Sequence, residues 1–170
     1  KEFKEAVRAD ANSYAPYYNR GEMHWRAGRR EQALADFHNA MTAPKLAPDA
    51  ALSIGDRYLS LQLWADAIDA YSKARALGRA VPALTRRAMA LEGAKEPKKA
   101  LADLDEAVTL EPESAPILAA RGTLEDRLGM IKAAQEDLTR AVRRAPKDPD
   151  ILVAHAGFFS RQEKPQLALE

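Results

Sequence analysis

The chain has 170 residues, of which 46% are apolar and 30% are charged. Its 26 basic and 25 acidic side chains leave a formal net charge of +1, so the chain has no global field that would hold nucleic acid. The absence of cysteine excludes thiolate catalysis, disulfides and cysteine-based zinc sites, but it does not decide the compartment. No run approaches the roughly 18 apolar residues that a membrane span needs. The first ten residues predict an amphipathic helix instead of a signal peptide.

The sequence repeats itself with a period near 34 residues. Gly21 recurs as Gly55, and Phe37 recurs as Tyr71, in one common register. In chain order, the period predicts the second helix of a partial unit, then four whole units, then a truncated one: residues 1–12, 14–47, 48–80, 81–114, 115–148 and 149–170. We therefore expect one continuous repeat domain.

Within each unit, the apolar residues follow a helical spacing. Over residues 31–41 they fall at i, i+1, i+4, i+7 and i+8, which is one face of a helix. Turn residues such as Gly28 and Gly129 divide the units into two helices each. Ser114 and Asp148 stand where they would cap the helices that follow them. No segment alternates with the period of a strand, so the sequence predicts an all-α chain of antiparallel helix pairs.

These recurring residues resemble the tetratricopeptide repeat, whose pattern is W-x2-L-G-x2-Y, then A-x3-F, then P. The first whole unit matches this pattern with Tyr17, Gly21, Ala33 and Phe37. The resemblance covers essentially the whole chain, and it implies a right-handed superhelical solenoid of antiparallel helix pairs. The phrase around Asn19 looks like bacterial members of the family, in the cytoplasm or in the periplasm and cell envelope.

Four residues depart from the family pattern. Arg20, Arg87 and Arg121 replace the usual leucine before the small residue. We expect their aliphatic stems to cover apolar surface while their guanidinium groups stay in water. Glu125 takes a place that is usually aromatic, so it either weakens the packing of its pair or points to water.

The residues that could carry chemistry form no recognisable catalytic or metal motif. The three histidines, His24, His38 and His155, have no further ligand at metal-binding spacing and are expected to be ordinary packing or surface residues. The clustered carboxylates are expected to form solvated helix faces: Asp66, Asp69, Asp103, Asp105 and Glu106. Phosphate-binding, hydrolase and metalloprotease motifs do not occur. We therefore predict a protein that is not an enzyme by itself and that needs no cofactor or metal.

In the family that the chain resembles, the first helices of successive pairs line a concave groove that holds peptides or partner helices. Carried over to this sequence, the groove consists of Tyr18, Asn19, Glu22, Trp25, Arg26, Leu52, Ser53, Asp56, Leu59, Arg86, Met89 and Arg127, together with Glu92, Thr123 and Asp126. Tyr18, Trp25, Leu52, Leu59 and Met89 would be apolar residues on a surface, which is typical of an interaction site. The alternative is that Trp25 and Leu59 pack against the neighbouring first helix.

Some family members hold a C-terminal carboxylate with a clamp of lysine and asparagine. At the matching places of this chain only Arg86 fits, and Glu22 and Asp56 would repel an acidic peptide. The resemblance therefore implies a protein-interaction scaffold that binds a different protein or peptide. Two alternatives stay open: a module that associates with its own copies, and a regulatory or substrate-recruiting arm of a larger enzyme.

The last predicted helix is apolar nearly all round. Residues 151–159 include Phe158 and Phe159, and such a helix is normally buried. We therefore expect the chain to be a piece of a longer array, or to pack against a second copy at this end.

Overall fold

The computed structural model describes residues 5–6, 10 and 12–163. In this part of the chain, all regular structure is helical, as the sequence predicts. The long helices are α1 (Ala15–Arg26), α2 (Arg30–Thr42), α3 (Pro48–Ser60), α4 (Trp64–Ala76), α5 (Ala80–Gly93), α6 (Pro97–Leu110), α7 (Ala115–Arg127), α8 (Ile131–Arg144) and α9 (Pro149–Glu163). The chain forms two compact units, Lys1–Ala83 and Leu84–Glu170, whose boundary falls within α5. Most of the partial unit predicted for residues 1–12, and the last seven residues, lie outside the described part.

In the first unit, two helix pairs cross at glycines. α1 packs against α2, and α3 packs against α4. A Cβ atom on Gly21 would lie 2.7 Å from the ring of Phe37, and one on Gly55 would lie 2.5 Å from the ring of Tyr71. Both rings are fully buried. The glycines are therefore needed because a bulky ring of the second helix occupies the space where a Cβ would be.

In the second unit, α7 packs against α8 through Gly122, and α9 packs against both. Phe158 of α9 is buried against Ala134 and Leu138 of α8. The expectation that Phe158 needs a further repeat or a second copy to bury it is therefore wrong, because α8 already covers it. Val153, on the same helix, is 72% exposed.

A residue with positive φ stands in the turn inside each of the four successive pairs. These residues are Gly28 (φ 72°), Gln62 (59°), Lys95 (62°) and Gly129 (76°). The left-handed conformation lets the next amides bond back to the end of the first helix. After α7, for example, the Met130 N–H donates to the carbonyl of Glu125 at 2.8 Å. Gly28 and Gly129 are turn residues, as predicted.

The two predicted helix caps have different outcomes. Asp148 Oδ1 accepts hydrogen bonds from the N–H groups of Asp150 and Ile151, at 3.0 and 3.2 Å, so it caps α9 as predicted. Ser114 stands at the N-cap of α7, but its side chain makes no capping hydrogen bond. The Ser114 prediction is wrong. Pro116 stands at the second helical position and has no N–H to donate, which removes one of the two usual partners of a cap.

Candidate functional site

Three ion pairs lie inside the helix pairs, each joining an arginine of the first helix to a buried aspartate of the second. In the first unit, Arg20 Nε donates to Asp36 Oδ2 at 2.8 Å, and Arg20 Nη2 donates to Asp36 Oδ1 at 2.5 Å. The full set is Arg20–Asp36, Arg87–Asp103 and Arg121–Asp137. The expectation that these guanidinium groups stay in water is wrong for Arg87 and Arg121, whose side chains are 18% exposed. The two-pronged, charge-assisted bond pairs a carboxylate that would otherwise be buried without a partner. Arg20 makes the same kind of bond while its side chain stays 37% exposed.

The same observation corrects the interpretation of Asp103. The sequence places it on a solvated helix face, but its exposed fraction is only 7%. Its two oxygens accept hydrogen bonds from Arg87 at 2.6 and 2.7 Å. These bonds raise the pKa of the Arg87 guanidinium above its ordinary value. In the second repeat, Ile54 and Ala70 fill the corresponding places, and both are fully buried.

Glu125 lies inside the second unit, with an exposed fraction of 5%. One of its oxygens, Oε1, is 3.9 Å from Arg121 Nε, beyond hydrogen-bonding distance. The other, Oε2, is buried and has no hydrogen-bond partner. Burial, and then the negative charge of Asp137, raise the pKa of the Glu125 carboxyl to about 7. Of the two orientations open from the sequence, the side chain takes the one that points into the pair.

Among the groove residues expected in the first unit, Trp25 lies against the protein interior. Its ring centroid is 6.3 Å from that of Phe37, and the guanidinium of Arg57 lies over it at 5.2 Å. Arg57 also donates two hydrogen bonds of 3.1 Å to Glu22. The Tyr18 ring also lies beside Phe37, with the two ring centroids 6.3 Å apart. Trp25, Tyr18 and Glu22 therefore already have partners inside the unit.

The remaining expected residues of the first unit differ in exposure. Leu52 is only 6% exposed, so its expected place on the surface is wrong: it packs into the unit. Asp56 accepts a hydrogen bond from the Tyr71 hydroxyl at 2.9 Å. Ser53 and Leu59 are half-buried, whereas Asn19 and Arg26 are exposed.

An open hollow of about 440 Å³ lies on the second unit, where three first helices contribute side chains. Its lining residues are Glu92 of α5, Pro116, Ala119, Ala120, Thr123 and Arg127 of α7, and Asp148, Asp150 and Ile151 around the start of α9. Glu92, Thr123 and Arg127 are the expected groove residues among them. Arg86 is half-buried and Met89 is 58% exposed, and neither lines the hollow.

The lining residues Ala119 and Ala120 were not predicted as site residues. They stand in the register of Leu52 and Ser53, which were predicted, 67 residues earlier in the sequence. The repeat period was therefore a sufficient signal to find them. Asp148 and Asp150 had no such signal, because they lie at the entry to α9 and not along its groove-facing side.

Ion pairs also join successive first helices at a sequence separation of 35. In the first unit this is the pair of Glu22 and Arg57. In the second unit, Arg127 donates to Glu92, and Arg161 donates to Asp126 through Nε at 2.9 Å. These bonds fix neighbouring first helices side by side, which is the arrangement that forms the hollow.

The described part of the chain contains no group of three or more histidine, aspartate or glutamate side chains arranged for a metal ion. His38 is exposed, and the rings of His155 and Phe159 contact each other at a tilted angle, with centroids 4.7 Å apart. His24 Nε2 lies 3.8 Å from Asp36 Oδ2. Among the described helices, none has the length and hydropathy of a membrane-crossing segment.

Comparison with known proteins gives a likeness at the level of structure. No family model matches the sequence, and no curated protein matches it. YrrB, a TPR protein with an unusual peptide-binding site, is 22% identical, with a TM-score of 0.71 over 99% of this chain and 88% of that one. MamA from Desulfovibrio magneticus RS-1 is 21% identical, with a TM-score of 0.73 over 92% of this chain and 89% of that one.

A third similar structure is the first TPR domain of Spaghetti (RPAP3) bound to the HSP90 peptide SRMEEVD. It is 20% identical, with a TM-score of 0.62 over 69% of this chain and 94% of that one. At these identities the likeness concerns the fold. Together with the helix pairs and the recurring small and bulky residues, it shows that the chain is an all-α helical-repeat protein with the tetratricopeptide-repeat fold.

Proposed function

We propose that the chain is a non-catalytic scaffold that binds a segment of a partner protein in the hollow formed by α5, α7 and α9. The observation that carries this proposal is the size of the side chains of α7 in the hollow. Ala119, Ala120 and Thr123 leave space open there. At the same register in the first unit, Tyr18, Asn19 and Glu22 are larger. A ligand can therefore approach the backbone of α7 more closely than that of α1.

The polar groups of the hollow support binding instead of catalysis. The Thr123 hydroxyl donates to the carbonyl of Ala119 at 2.8 Å, and Arg127 is bonded to Glu92. Asp148 caps α9. None of these lining groups is a nucleophile held by a base, which is the arrangement that covalent catalysis requires. The presence of peptide-binding sites in YrrB and in the RPAP3 domain agrees with a binding role.

The charges of the hollow favour a cationic segment. Arg127 is the cation among the lining residues and it is paired with Glu92, so Asp148 and Asp150 have no lining cation of their own. The N-terminus of α9 contributes roughly half a positive charge, which offsets only part of two carboxylates. We expect the bound segment to place a lysine or arginine near Asp150, with small aliphatic side chains against Ala119 and Ala120. An acidic peptide of the SRMEEVD type would be repelled.

The test is a selection of short random peptides against the intact chain. We expect the selected peptides to be enriched in lysine and arginine. Ala120→Arg should weaken their binding by roughly tenfold or more, because the new side chain fills the hollow and repels a cation. Ala102→Arg is the matched control, since Ala102 is exposed on α6, which contributes nothing to the hollow. It should leave the affinity unchanged.

The outcomes separate the two parts of the proposal. Peptides that bind both variants equally would show that the hollow is not the binding site. If the selected peptides lose affinity in Ala120→Arg but are rich in aspartate and glutamate, the hollow is the binding site and the expected positive charge of the ligand is wrong. Asp150→Asn should reduce the affinity for lysine-rich peptides and make their binding less sensitive to salt.

A further inference from the structure

Two buried side-chain atoms in the described part of the chain have no hydrogen-bond partner: His24 Nδ1 and Glu125 Oε2. Both residues stand at the same register of the repeat, which Tyr58 and Leu91 fill in the two pairs between them. Tyr58 and Leu91 are buried, so this is an interior place. A buried carboxylate oxygen without a partner loses its hydration with no bond in return.

The groups around Glu125 do not compensate its charge. On its own helix, the one nearby cation is Arg121, whose donors bond Asp137 at 2.5 and 3.0 Å and Asp105 at 2.9 Å. From α8, Asp137 and Glu136 face Glu125 with negative charge, and from α6, Asp105 does the same. From α9, the charged group that reaches α7 is Arg161, which bonds Asp126 instead. Glu125 is therefore a carboxyl group surrounded by competing carboxylates.

We propose that Glu125 is a proton-binding site of the second unit, and that the release of its proton weakens the packing of α7 against α8. In the neutral form, the carboxyl fills an interior place without a net charge. In the ionised form, it brings a further negative charge next to Asp137, which is itself buried. The geometry requires either the proton or a local rearrangement that lets water reach Oε2.

The direction of the pH effect follows from the two protonation equilibria. The pKa of Glu125 is about 7 in the folded chain, against the ordinary value of 4.5. The unfolded chain therefore loses this proton first as the pH rises. The free energy of unfolding falls between pH 4.5 and about pH 7, and it stays constant at higher pH. The contribution of Glu125 to the folding equilibrium should change on the order of 100-fold across this range.

The experiment compares the denaturant-unfolding curves of the full chain and of Glu125→Gln at about pH 5 and about pH 8. Glutamine has the shape of the protonated side chain but no charge to release. We expect the two proteins to have similar midpoints at the lower pH and the variant to have the higher midpoint at the higher pH. Glu111→Gln, at an exposed glutamate just after α6 that is not among the groups acting on Glu125, is the matched control and should keep the pH dependence of the original chain.

Parallel pH curves for the original chain and Glu125→Gln would overturn the proposal. An independent measurement on the unaltered chain covers the case in which the variant packs differently. Carboxyl carbon NMR should show Glu125 titrating near neutral pH, and the hydrogen-exchange protection of α7 should fall over the same range. A Glu125 midpoint at the ordinary value of a glutamate would equally overturn it.

Discussion

Arg87 and Asp103 occupy the interior places that Ile54 and Ala70 fill in the preceding repeat. Both solutions avoid the same cost, because a buried polar group without a hydrogen bond loses its hydration with nothing in return. An ion pair in such a site gives little net stability, since the loss of hydration offsets most of the attraction. What it imposes is mutual dependence: neither partner can be replaced alone.

This dependence can be tested in a double-mutant cycle. Arg87→Ile leaves the buried carboxylate of Asp103 without its partner and should cost about 3 kcal/mol of unfolding free energy. The double change Arg87→Ile with Asp103→Ala reproduces the pair of the second repeat. We expect it to recover about half of that loss or more, with the cavity left by the smaller side chains accounting for the rest. Urea unfolding measures the stability of the single and the double variant. A double variant that is no more stable than Arg87→Ile alone would contradict the expectation.

At the scale of helices, the crossing of α3 and α4 depends on Gly55. The Tyr71 ring stands 2.5 Å from the place of a Cβ, and it cannot move away because it is fully buried and its hydroxyl is bonded to Asp56. The distance between α3 and α4 is therefore set by the Tyr71 ring, which lies directly against the hydrogen atom that Gly55 carries in place of a side chain.

Gly55→Ala should lower the stability by about 1–3 kcal/mol, because the methyl group forces the two helices apart. Gly157→Ala is the matched control within α9. There the new methyl would meet only the flexible end of Arg161, at 3.4 Å, and alanine favours the helix by about 0.5–1 kcal/mol. Thermal unfolding of the two variants should thus shift in opposite directions. Equal shifts would show that the crossing is looser than the ring contact implies.

At the scale of the whole molecule, the two compact units should respond separately to local damage. Phe37→Ala removes a fully buried ring from the first unit and should cost about 3–5 kcal/mol there. In a chain of repeats, each pair depends mainly on its neighbours. We expect hydrogen exchange to accelerate in α1 and α2, while α8 and α9 keep their protection. A uniform loss of protection along the chain would indicate a single cooperative unit.

The sequence was sufficient to predict the helix pairs, because the period near 34 fixes where small and bulky residues recur. For the same reason, the sequence was sufficient to predict that Gly28 and Gly129 stand in turns between paired helices. The arginines were misinterpreted because each was judged on its own helix, where a long side chain can reach water. Their partners lie 16 residues away on the second helix, and the joint replacement of both by Ile54 and Ala70 was the signal that connects them.

The groove was only partly predictable, since the repeat pattern gives the direction of a side chain and not its partners. It placed Trp25 on the groove side, with packing against the neighbouring first helix as the alternative, and Arg57 of that helix, α3, lies over the ring. It assigned Leu52 to the surface, although the side chain is buried. The size of the hollow on the second unit depends on three helices at once, which no single stretch of sequence encodes.

The bonds between first helices bear on how such a chain can grow. Asp126 and Arg127 are consecutive on α7, and they bond in opposite directions along the chain, to Arg161 and to Glu92. Each partner has an equivalent 34 residues later: the acceptor Glu92 corresponds to Asp126, and the donor Arg127 corresponds to Arg161. A tandem duplication of this segment would thus inherit a donor for the copy before it and an acceptor for the copy after it. The number of repeats can change in such a lineage without a compensating substitution at the junction.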